Sequence, residues 1–441
     1  MKKIVLTASI IIASSLIYYF TFGSQQITQE LKNQVNLQLE LLEDNGFAIE
    51  ERKIENDSEH FIIHYKNPKK IQHYLKEQNI ELQANDSQLL KGFKLAADIS
   101  YMQGFYSAIS MDLYPTALPL MIVEESTQNH QKEIEKILKE KLFLIHFDIN
   151  KLFTSFKGYL KDIDTTFNSI QIVSKDFKFD GDYNGKQLTA STSSIQKFSL
   201  NTPNDFIITL KNLQGSYKQK GNSNYSFDST QYIDEITLLL ANQTKIELKK
   251  IDIQNRSNSK DNFLNTELIS KIAELTVNGP NNQHHIKSLS SKLSLEQLSI
   301  SALERLQSLN LNNPKESQEI NQAIEEIITQ GAIFKLEYLN AQKILDNSTK
   351  QMVDGFDTHA KISLNRRVNL QKIINNPLAL LQALESDAHI SLSDALYNIV
   401  RKRAELSMIL LFIKPISKDS KKIFDISYKE NKLKINGKRL F

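Results

Sequence analysis

The residues best suited to chemistry in this sequence are a run of oxygen donors from Asp180 to Gly185. The run Asp-Gly-Asp-Tyr-Asn-Gly matches the first half of an EF-hand loop, in which carboxylate and amide oxygens wrap a calcium ion. The twelfth position of such a loop needs a bidentate Glu, and here it is Ser191. Because Phe177, Phe179 and Leu188 have strand-like patterns on either side, we predict a hairpin turn and no metal site.

Two pairs of histidines have spacings that occur in metal sites. His60-x-x-x-His64 would place both imidazoles on one face of a helix, but the surrounding run alternates like a strand. Residues four apart in a strand are separated by roughly 13 Å, which is too far for one metal ion. His284-His285 follows Asn281-Asn282 in a predicted loop without a third ligand nearby. We therefore predict no metal site at either pair.

Paired carboxylates are the remaining residues that could perform acid–base chemistry. Glu124-Glu125 and Asp162-x-Asp164 could share a proton, but both pairs lie in polar stretches, where surface carboxylates are common. The sequence contains no glycine-rich phosphate loop, no Gly-x-Ser-x-Gly motif and no His-Glu-x-x-His motif. It therefore predicts no catalytic, cofactor-binding or metal-binding residue and favours a non-enzymatic protein.

Composition indicates a globular protein of one large or two ordinary domains. The 441 residues are 40% hydrophobic and 24% charged, as in folded proteins, and cysteine is absent, which excludes disulfides and thiolate chemistry. The net charge is +3, but residues 401–441 contain 12 Lys or Arg against 4 Asp or Glu. We interpret this basic end as a solvated surface, with attraction to an anionic surface as the alternative. Basic residues do not alternate with aromatic ones, so nucleic acid is not an expected partner.

An uncharged segment near the N-terminus predicts where the protein works. Ile4 to Phe22 is a run of 19 residues without a charge, close to the roughly 20 that an apolar helix needs to cross a bilayer. Lys2 and Lys3 precede it and should stay in the cytoplasm by the positive-inside rule. We predict a single-pass signal anchor rather than a cleaved signal peptide, with the bulk of the chain outside the cytoplasm.

The hydrophobic pattern of the whole chain predicts an α+β fold. It has an N-terminal transmembrane helix, then a β-rich ectodomain with a long, bent, mainly antiparallel sheet and flanking helices. Five parts follow from the changes in periodicity. They are the cytoplasmic start and anchor (1–23), a helical stalk (24–46), a mixed α/β part (47–142), an antiparallel β meander (143–300) and an α/β C-terminal part (301–441).

Two segments of the predicted meander have a pattern that a regular strand does not accommodate. They are Ile246-x-Leu248-x-x-Ile251-x-Ile253 and Leu293-x-Leu295-x-x-Leu298-x-Ile300. Two alternating apolar pairs that are offset by one residue lie on one face only if the strand has a bulge or a bend between them. We therefore predict a bend in the middle of each segment.

Several motifs carry a resemblance to a known family. Besides the basic start and the anchor, they are Tyr101-x-x-Gly104-x-x-Ser107, Phe177-Lys178-Phe179 with Asp182-x-x-Gly185-Lys186, Ala388-His389-Ile390-Ser391-Leu392, and Leu433-Lys434-Ile435-Asn436-Gly437. With these motifs the chain resembles the YdgA-like family of bacterial inner-membrane proteins of unknown function, although Ser393 stands where that family often has proline. The resemblance implies a periplasmic, β-rich ectodomain and no known catalytic residue.

Two hypotheses about function remain open. Between Phe143 and Ile300 the strands carry more apolar surface than the nearby helices can cover, which favours a non-enzymatic envelope protein that binds a protein partner or an apolar ligand such as lipid. The alternative is an envelope hydrolase whose site is assembled from distant residues. The inner membrane, contacted through residues 4–22, is a predicted partner. A protein partner, lipid and a second copy of the chain are open alternatives.

Overall fold

The computed structural model describes most of the chain from Thr28 to Arg439. The described residues are 28–77, 90–101, 106–120, 128–167, 169–184, 187–221, 223, 225–280, 283–309, 316–364, 384–402 and 413–439. They fall into two compact units, whose boundary in the sequence lies between Ser216 and Tyr217. The predicted anchor, Ile4 to Phe22, lies outside the described residues, and none of the helices within them is long and apolar enough to cross a membrane.

The first unit combines helices with short and medium strands. Its described helices are α1 (Thr28–Asp44), α2 (Pro68–Glu77) and α3 (Gln128–Lys139). Its strands are β1 (Phe47–Ile54), β2 (Ser58–Tyr65), β3 (Lys94–Tyr101), β4 (Ser107–Ala117), β5 (Ile145–Asn150), β6 (Ser155–Leu160), β7 (Ile163–Phe167), β8 (Ile170–Lys175), β9 (Phe177–Tyr183) and β10 (Leu188–Thr202). The next strand, β11 (Phe206–Gln219), contains the boundary between the units.

The strands of the first unit pair antiparallel but not strictly in chain order. β1 to β5 each pair with the next strand, and β6 then pairs with β9. The β7–β8 hairpin is inserted between them, and β10 pairs with β9 through its first half and with β8 through its second half. The predicted meander therefore contains one local rearrangement.

One face of the β1–β5 sheet is covered by α1 and α2. The apolar residues of α1 recur every three or four positions, and Leu31, Val35 and Leu39 are buried against strand residues such as Phe61 and Ile99. The helix ends before Gly46, whose φ of 97° suits glycine. From Thr28 onward, the helix predicted as a stalk is thus part of the core of the first unit, where each such side chain contributes about 1.5–3 kcal/mol.

The second unit is dominated by longer strands. They are β12 (Phe227–Leu240), β13 (Lys245–Lys260), β14 (Phe263–Asn278), β15 (Gln283–Ser299), β16 (Ile333–Asp346), β17 (Gln351–Leu364), β18 (Leu384–Ser393), β19 (Ile416–Lys418), β20 (Lys421–Lys429), β21 (Lys432–Ile435) and β22 (Lys438–Arg439). The described helices are α4 (Ile300–Ser308), α5 (Ser317–Thr329) and α6 (Asp394–Arg401).

The long strands of the second unit form an antiparallel sheet in chain order. Each strand from β12 to β17 pairs with the next, β18 pairs with β20, and β20 also pairs with β19 and β21. The prediction of a β-rich fold with a long antiparallel sheet is confirmed, and the described helices are few.

A line of interrupted pairing crosses this sheet. Lys250 of β13, whose φ is +51°, has no paired residue on β12 or on β14, whereas Lys249 and Ile251 are paired with both strands. The same gap recurs in register on the next four strands. We call the set the bend line; its members are Asp234, Lys250, Ala273, Ser288, Gln342 and Gly355. The bend predicted between Leu248 and Ile251 is confirmed and belongs to a feature that extends across six strands, β12 to β17.

The second predicted bend is a β-bulge in β15. Leu298 pairs with Leu264 and Leu295 with Thr266, so two residues of β15 lie opposite Asn265 alone. Gln297 has a φ of +59°, and its backbone N–H donates to Oδ1 of Asn265 at 3.0 Å. The extra residue shifts the alternation by one position, as the sequence pattern predicted.

Candidate functional site

The run of oxygen donors forms part of a hairpin, as predicted. Asp180 and Asp182 lie within β9 with exposed side chains, and the chain turns after Asn184 into β10. Thr192 donates its hydroxyl hydrogen to Oδ1 of Asp180 at 2.5 Å across the two strands. Gly185 lies outside the described residues, and the Asp180 carboxylate is the acceptor of this cross-strand hydrogen bond.

The histidine pairs identified in the sequence are not brought together. His60 and His64 lie in strand β2, as predicted, and each contacts its own carboxylate: Asp98 at 2.5 Å and Glu50 at 2.8 Å. The loop predicted for His284-His285 is wrong, because these residues begin strand β15. Adjacent strand residues point to opposite faces, so the two imidazoles cannot bind one ion together.

The predicted carboxylate pairs do not form a site either. Glu124 and Glu125 lie outside the described residues, while Asp162 and Asp164 are exposed. Asp162 accepts a hydrogen bond from the backbone N–H of Asp176 at 2.8 Å. In the part of the chain that the structure describes, no group of three or more His, Asp or Glu side chains is arranged to hold a metal ion.

Register brings together a set of ionisable groups that sequence reasoning missed. His60, Asp98, Asp112 and His146 occupy directly opposed positions on β2, β3, β4 and β5. We call these four residues the acid–histidine row. Its histidines bind its aspartates through Nδ1, at 2.5 Å for His60 to Asp98 and 2.6 Å for His146 to Asp112. Tyr159 of β6 stacks on His146 with ring centroids 4.8 Å apart.

The contacts of the acid–histidine row favour the protonated form of His146 and the ionised form of Asp148. The hydrogen bond that Nδ1 of His146 donates to Asp112 raises the pKa of His146, whose Nε2 also lies 3.3 Å from Asp148. Burial opposes ionisation of Asp148, but hydrogen bonds from Ser107 and Ser110 and the charge of His146 leave its pKa below the usual value. Lys141 lies 3.3 Å from Asp98 and contacts the ring of Tyr114 from 3.6 Å.

This arrangement does not provide a hydrolytic triad. A nucleophilic hydroxyl must bind the nitrogen of a neutral histidine, which removes its proton. Here Ser107 donates to Asp148 at 2.8 Å, and both nitrogens of His146 face carboxylates. With its pKa raised, His146 holds its proton more tightly than an ordinary histidine, so less of it is in the neutral form that a general base requires. The row is a charge network that fixes four strands in register.

A second feature is an apolar surface on the long sheet of the second unit. Two rows of aligned residues border the bend line, one on each side. On β13 and β15 a left-handed residue, Lys250 or Ser288, lies between the rows and shifts the alternation by one position, so both rows lie on one face of these strands. Directly paired residues share a face, so the same holds for the strands paired with them. We call them, with their continuation along the strands, the apolar face. It comprises Ile236, Leu248, Leu275, Ile286, Ile344 and Val353; Ile233, Ile251, Ile272, Leu289, Ala341 and Phe356; and Leu268, Leu293, Leu295, Leu336, Phe334 and Ile362.

The apolar face is only partly covered. All six residues of the row from Ile236 to Val353 are half-buried, and Leu268, Phe334 and Ile362 are exposed by 40%, 43% and 39%. By contrast, every large side chain of the described residues that is less than 2% exposed belongs to the first unit. A contiguous, partly exposed apolar surface on a folded protein commonly marks a binding surface.

Comparison with known proteins gives a family and no closer relative. The model of a family described as bacterial protein of unknown function (DUF945) matches residues 122–407, which is more than half of the chain. The apolar face lies entirely within this matched segment. No curated protein and no solved structure matches the sequence.

Proposed function

We propose that this chain, which belongs to the DUF945 family of bacterial proteins of unknown function, is a membrane-anchored envelope protein that binds the acyl chain of a lipid. The supporting observation is the partly exposed apolar face of the second unit. Its members are Ile, Leu, Val, Ala and Phe, which offer no side-chain hydrogen bond to a ligand. Protein interfaces usually carry about one hydrogen bond per 100–200 Å², so this surface suits an apolar chain better than a protein partner.

The dimensions of the apolar face also suit an extended hydrocarbon chain. The row from Ile236 to Val353 crosses six strands, and at about 4.8 Å per strand it extends for about 24 Å. One leaflet of a bilayer has a hydrocarbon depth of about 15 Å, so an acyl chain fits along the row.

The proposed location at the inner membrane would bring the protein close to lipid. The uncharged run Ile4 to Phe22 behind Lys2 and Lys3 supports an inner-membrane anchor, with the bulk of the chain in the periplasm. The resemblance to the YdgA-like family, which is consistent with the DUF945 match, supports the same location. An anchored protein of this kind would hold its apolar face close to a source of lipid.

Site-specific photo-crosslinking of the full-length protein in bacterial cells tests this proposal. A benzophenone amino acid at Phe334 would react from the apolar face. The matched control is Tyr232, an aromatic residue of similar exposure (39%, against 43% for Phe334) whose neighbour Ile233 belongs to the apolar face. Tyr232 therefore lies on the opposite face of the sheet.

We expect ultraviolet light to attach phosphate-labelled lipid to the protein with the probe at Phe334 and not with the probe at Tyr232. Protein adducts alone at Phe334, or equal lipid labelling at both positions, would contradict the proposal.

A further inference from the structure

The C-terminal end of the second unit carries an excess of positive charge. Residues 413–439 contain nine Lys or Arg against three Asp or Glu. Four of these cations, all exposed, gather at the β21–β22 hairpin, and we call them the basic edge: Lys414, Lys434, Lys438 and Arg439. Lys434 lies directly opposite Arg439, the neighbour of Lys438. Lys414 is held nearby, because its backbone carbonyl accepts a hydrogen bond at 2.7 Å from Nδ2 of Asn436, in the turn of the hairpin.

The charges of the basic edge are not balanced by neighbouring carboxylates. Like charges that lie directly opposite each other destabilise strand pairing. Lys429 and Lys432 form such a pair, but each has an acidic partner, Asp387 at 3.1 Å and Glu430 at 3.3 Å. Among the described residues, by contrast, no carboxylate forms an ion pair with any member of the basic edge. The edge is therefore a cluster of cations that attracts an anionic ligand.

A row of apolar residues connects the basic edge to the apolar face. Directly paired residues share a face of a sheet, and one such row ends at Lys438. Its members are Leu336, Ala360, Ala388, Ile426, Ile435 and Lys438. Leu336 belongs to the apolar face, and Ile435 is buried, whereas Lys438 is exposed. The apolar surface therefore continues to the edge of the sheet and ends there at a cation.

The length of this row suits a whole lipid molecule. From Lys438 to Leu336 the row crosses six strands, and at about 4.8 Å per strand it extends for about 24 Å. A lipid occupies half of a bilayer that is about 40–45 Å thick with its headgroups, which gives about 20–22 Å from headgroup to chain end. A lipid with its headgroup at Lys438 therefore reaches the apolar face with its acyl chains.

We propose that the basic edge binds the anionic headgroup of a phospholipid whose acyl chains lie on the apolar face. The inference rests on the proposed function and adds the chemical class of the ligand, a phospholipid with a net negative charge. Lysine ammonium groups and the guanidinium of Arg439 form charge-assisted hydrogen bonds with phosphate oxygens. A zwitterionic headgroup is disfavoured, because it would bring a further positive charge to this cluster.

The position of β22 lets its two cations act together. Side chains of adjacent strand residues leave from opposite faces, but β22 pairs with β21 alone among the described strands. The long, flexible side chains of Lys438 and Arg439 can therefore both reach a headgroup that lies beside β22. The sequence showed the excess of Lys and Arg, whereas only strand register places Lys438 at the end of an apolar row.

Photo-crosslinking in vesicles of defined composition tests this inference. The full-length protein with a benzophenone amino acid at Phe334 would be reconstituted in equal amounts of phosphatidylglycerol, which is anionic, and phosphatidylcholine, which is zwitterionic, with the same acyl chains. The mass of each adduct identifies its headgroup. Each Lys or Arg beside an anionic lipid strengthens binding about fivefold, so we expect phosphatidylglycerol adducts to exceed phosphatidylcholine adducts by about fivefold or more.

Changing Lys438→Gln together with Arg439→Gln should lower this ratio by about fivefold or more, whereas Lys438→Arg, which keeps the charge, should preserve it. The matched control is Lys418→Gln, because Lys418 is also exposed and lies opposite a second cation, Lys421. Its row leads to Ser393 rather than to apolar residues, and it lies about 20 Å from the basic edge along β20. This control should keep the ratio of the unchanged protein.

The possible outcomes separate this inference from the proposed function. Equal labelling by the two lipids, or the same loss of preference in Lys418→Gln as in the double variant, would overturn the basic edge as a headgroup site and leave acyl-chain binding intact. A double variant that kept the preference would do the same. If neither lipid were attached at Phe334, the proposed function would fail as well. Because the substituted side chains are exposed, all variants should melt at no lower temperature than the unchanged protein.

Discussion

Asp98 and Asp112 are an unfavourable pair of residues in the sheet of the first unit. They lie directly opposite each other on β3 and β4, where like charges destabilise strand pairing. Each aspartate has a cationic partner: Lys141 at 3.3 Å for Asp98 and His146 at 2.6 Å for Asp112. The stability of the acid–histidine row therefore depends on the proton carried by His146.

The raised pKa of His146 predicts a pH-dependent contribution to stability. When the pKa of a histidine is higher in the folded than in the unfolded state, the stabilisation is complete below the unfolded pKa, about 6.5, and is lost as pH rises through the folded pKa. Changing His146→Gln should lower the free energy of unfolding by about 1 kcal/mol at a pH of about 6. The difference from the unchanged protein should shrink as the pH is raised to about 9.

Urea denaturation at several pH values measures this difference. His284→Gln, at an exposed position at the start of β15, is the control and should give no such trend. A deficit for His146→Gln that stayed constant over the whole pH range would show that packing, rather than the charge of His146, is responsible.

The acid–histidine row also illustrates what a single sequence provides at the level of residues. In the sequence Ile145, Phe147 and Ile149 alternate with His146 and Asp148, a pattern that predicts a strand with its apolar residues facing the core, and these three apolar residues are indeed buried. The partners of His146 were not visible, because Asp112 is 34 residues away and is placed opposite by strand register. Register depends on packing across strands, which one sequence does not encode locally.

Among the elements, the bend line is the feature that determines which residues share a face of the long sheet. The sequence indicated it at Lys250, because the apolar pattern is offset there by one residue. On β17 the same line passes through Gly355, where no such pattern is present. An added Cβ at Gly355 would lie 1.9 Å from the backbone oxygen of Ala341, so the two strands approach too closely there for any side chain.

Changing Gly355→Ala should therefore destabilise the protein by about 2–4 kcal/mol, because the neighbouring backbone must move to remove the clash. The control is Gln342→Ala, since Gln342 belongs to the bend line on the adjacent strand and its side chain is exposed. It should change stability by less than about 0.5 kcal/mol. Equal unfolding midpoints in urea for the two variants would mean that the bend line tolerates a side chain at Gly355.

In the whole molecule, the two units bury their apolar residues to different degrees. The sheet of the first unit has helices α1 and α2 on one face and a core of fully buried side chains. In the second unit α4 and α5 contact β15, and α6 contacts β16, β17, β18 and β20. The excess of apolar strand surface predicted from the sequence agrees with the half-buried apolar face there. Which strands carry it, and that it forms continuous rows, required the register of the structure.

Native mass spectrometry of residues 24–441 tests most directly whether a lipid chain covers the apolar face. This part of the chain would be exported with a cleavable signal peptide and purified without detergent. We predict a monomer carrying the mass of a bound lipid, because water contact with the half-exposed rows is unfavourable. A ligand-free monomer that also fails to bind the hydrophobic dye ANS would contradict the account.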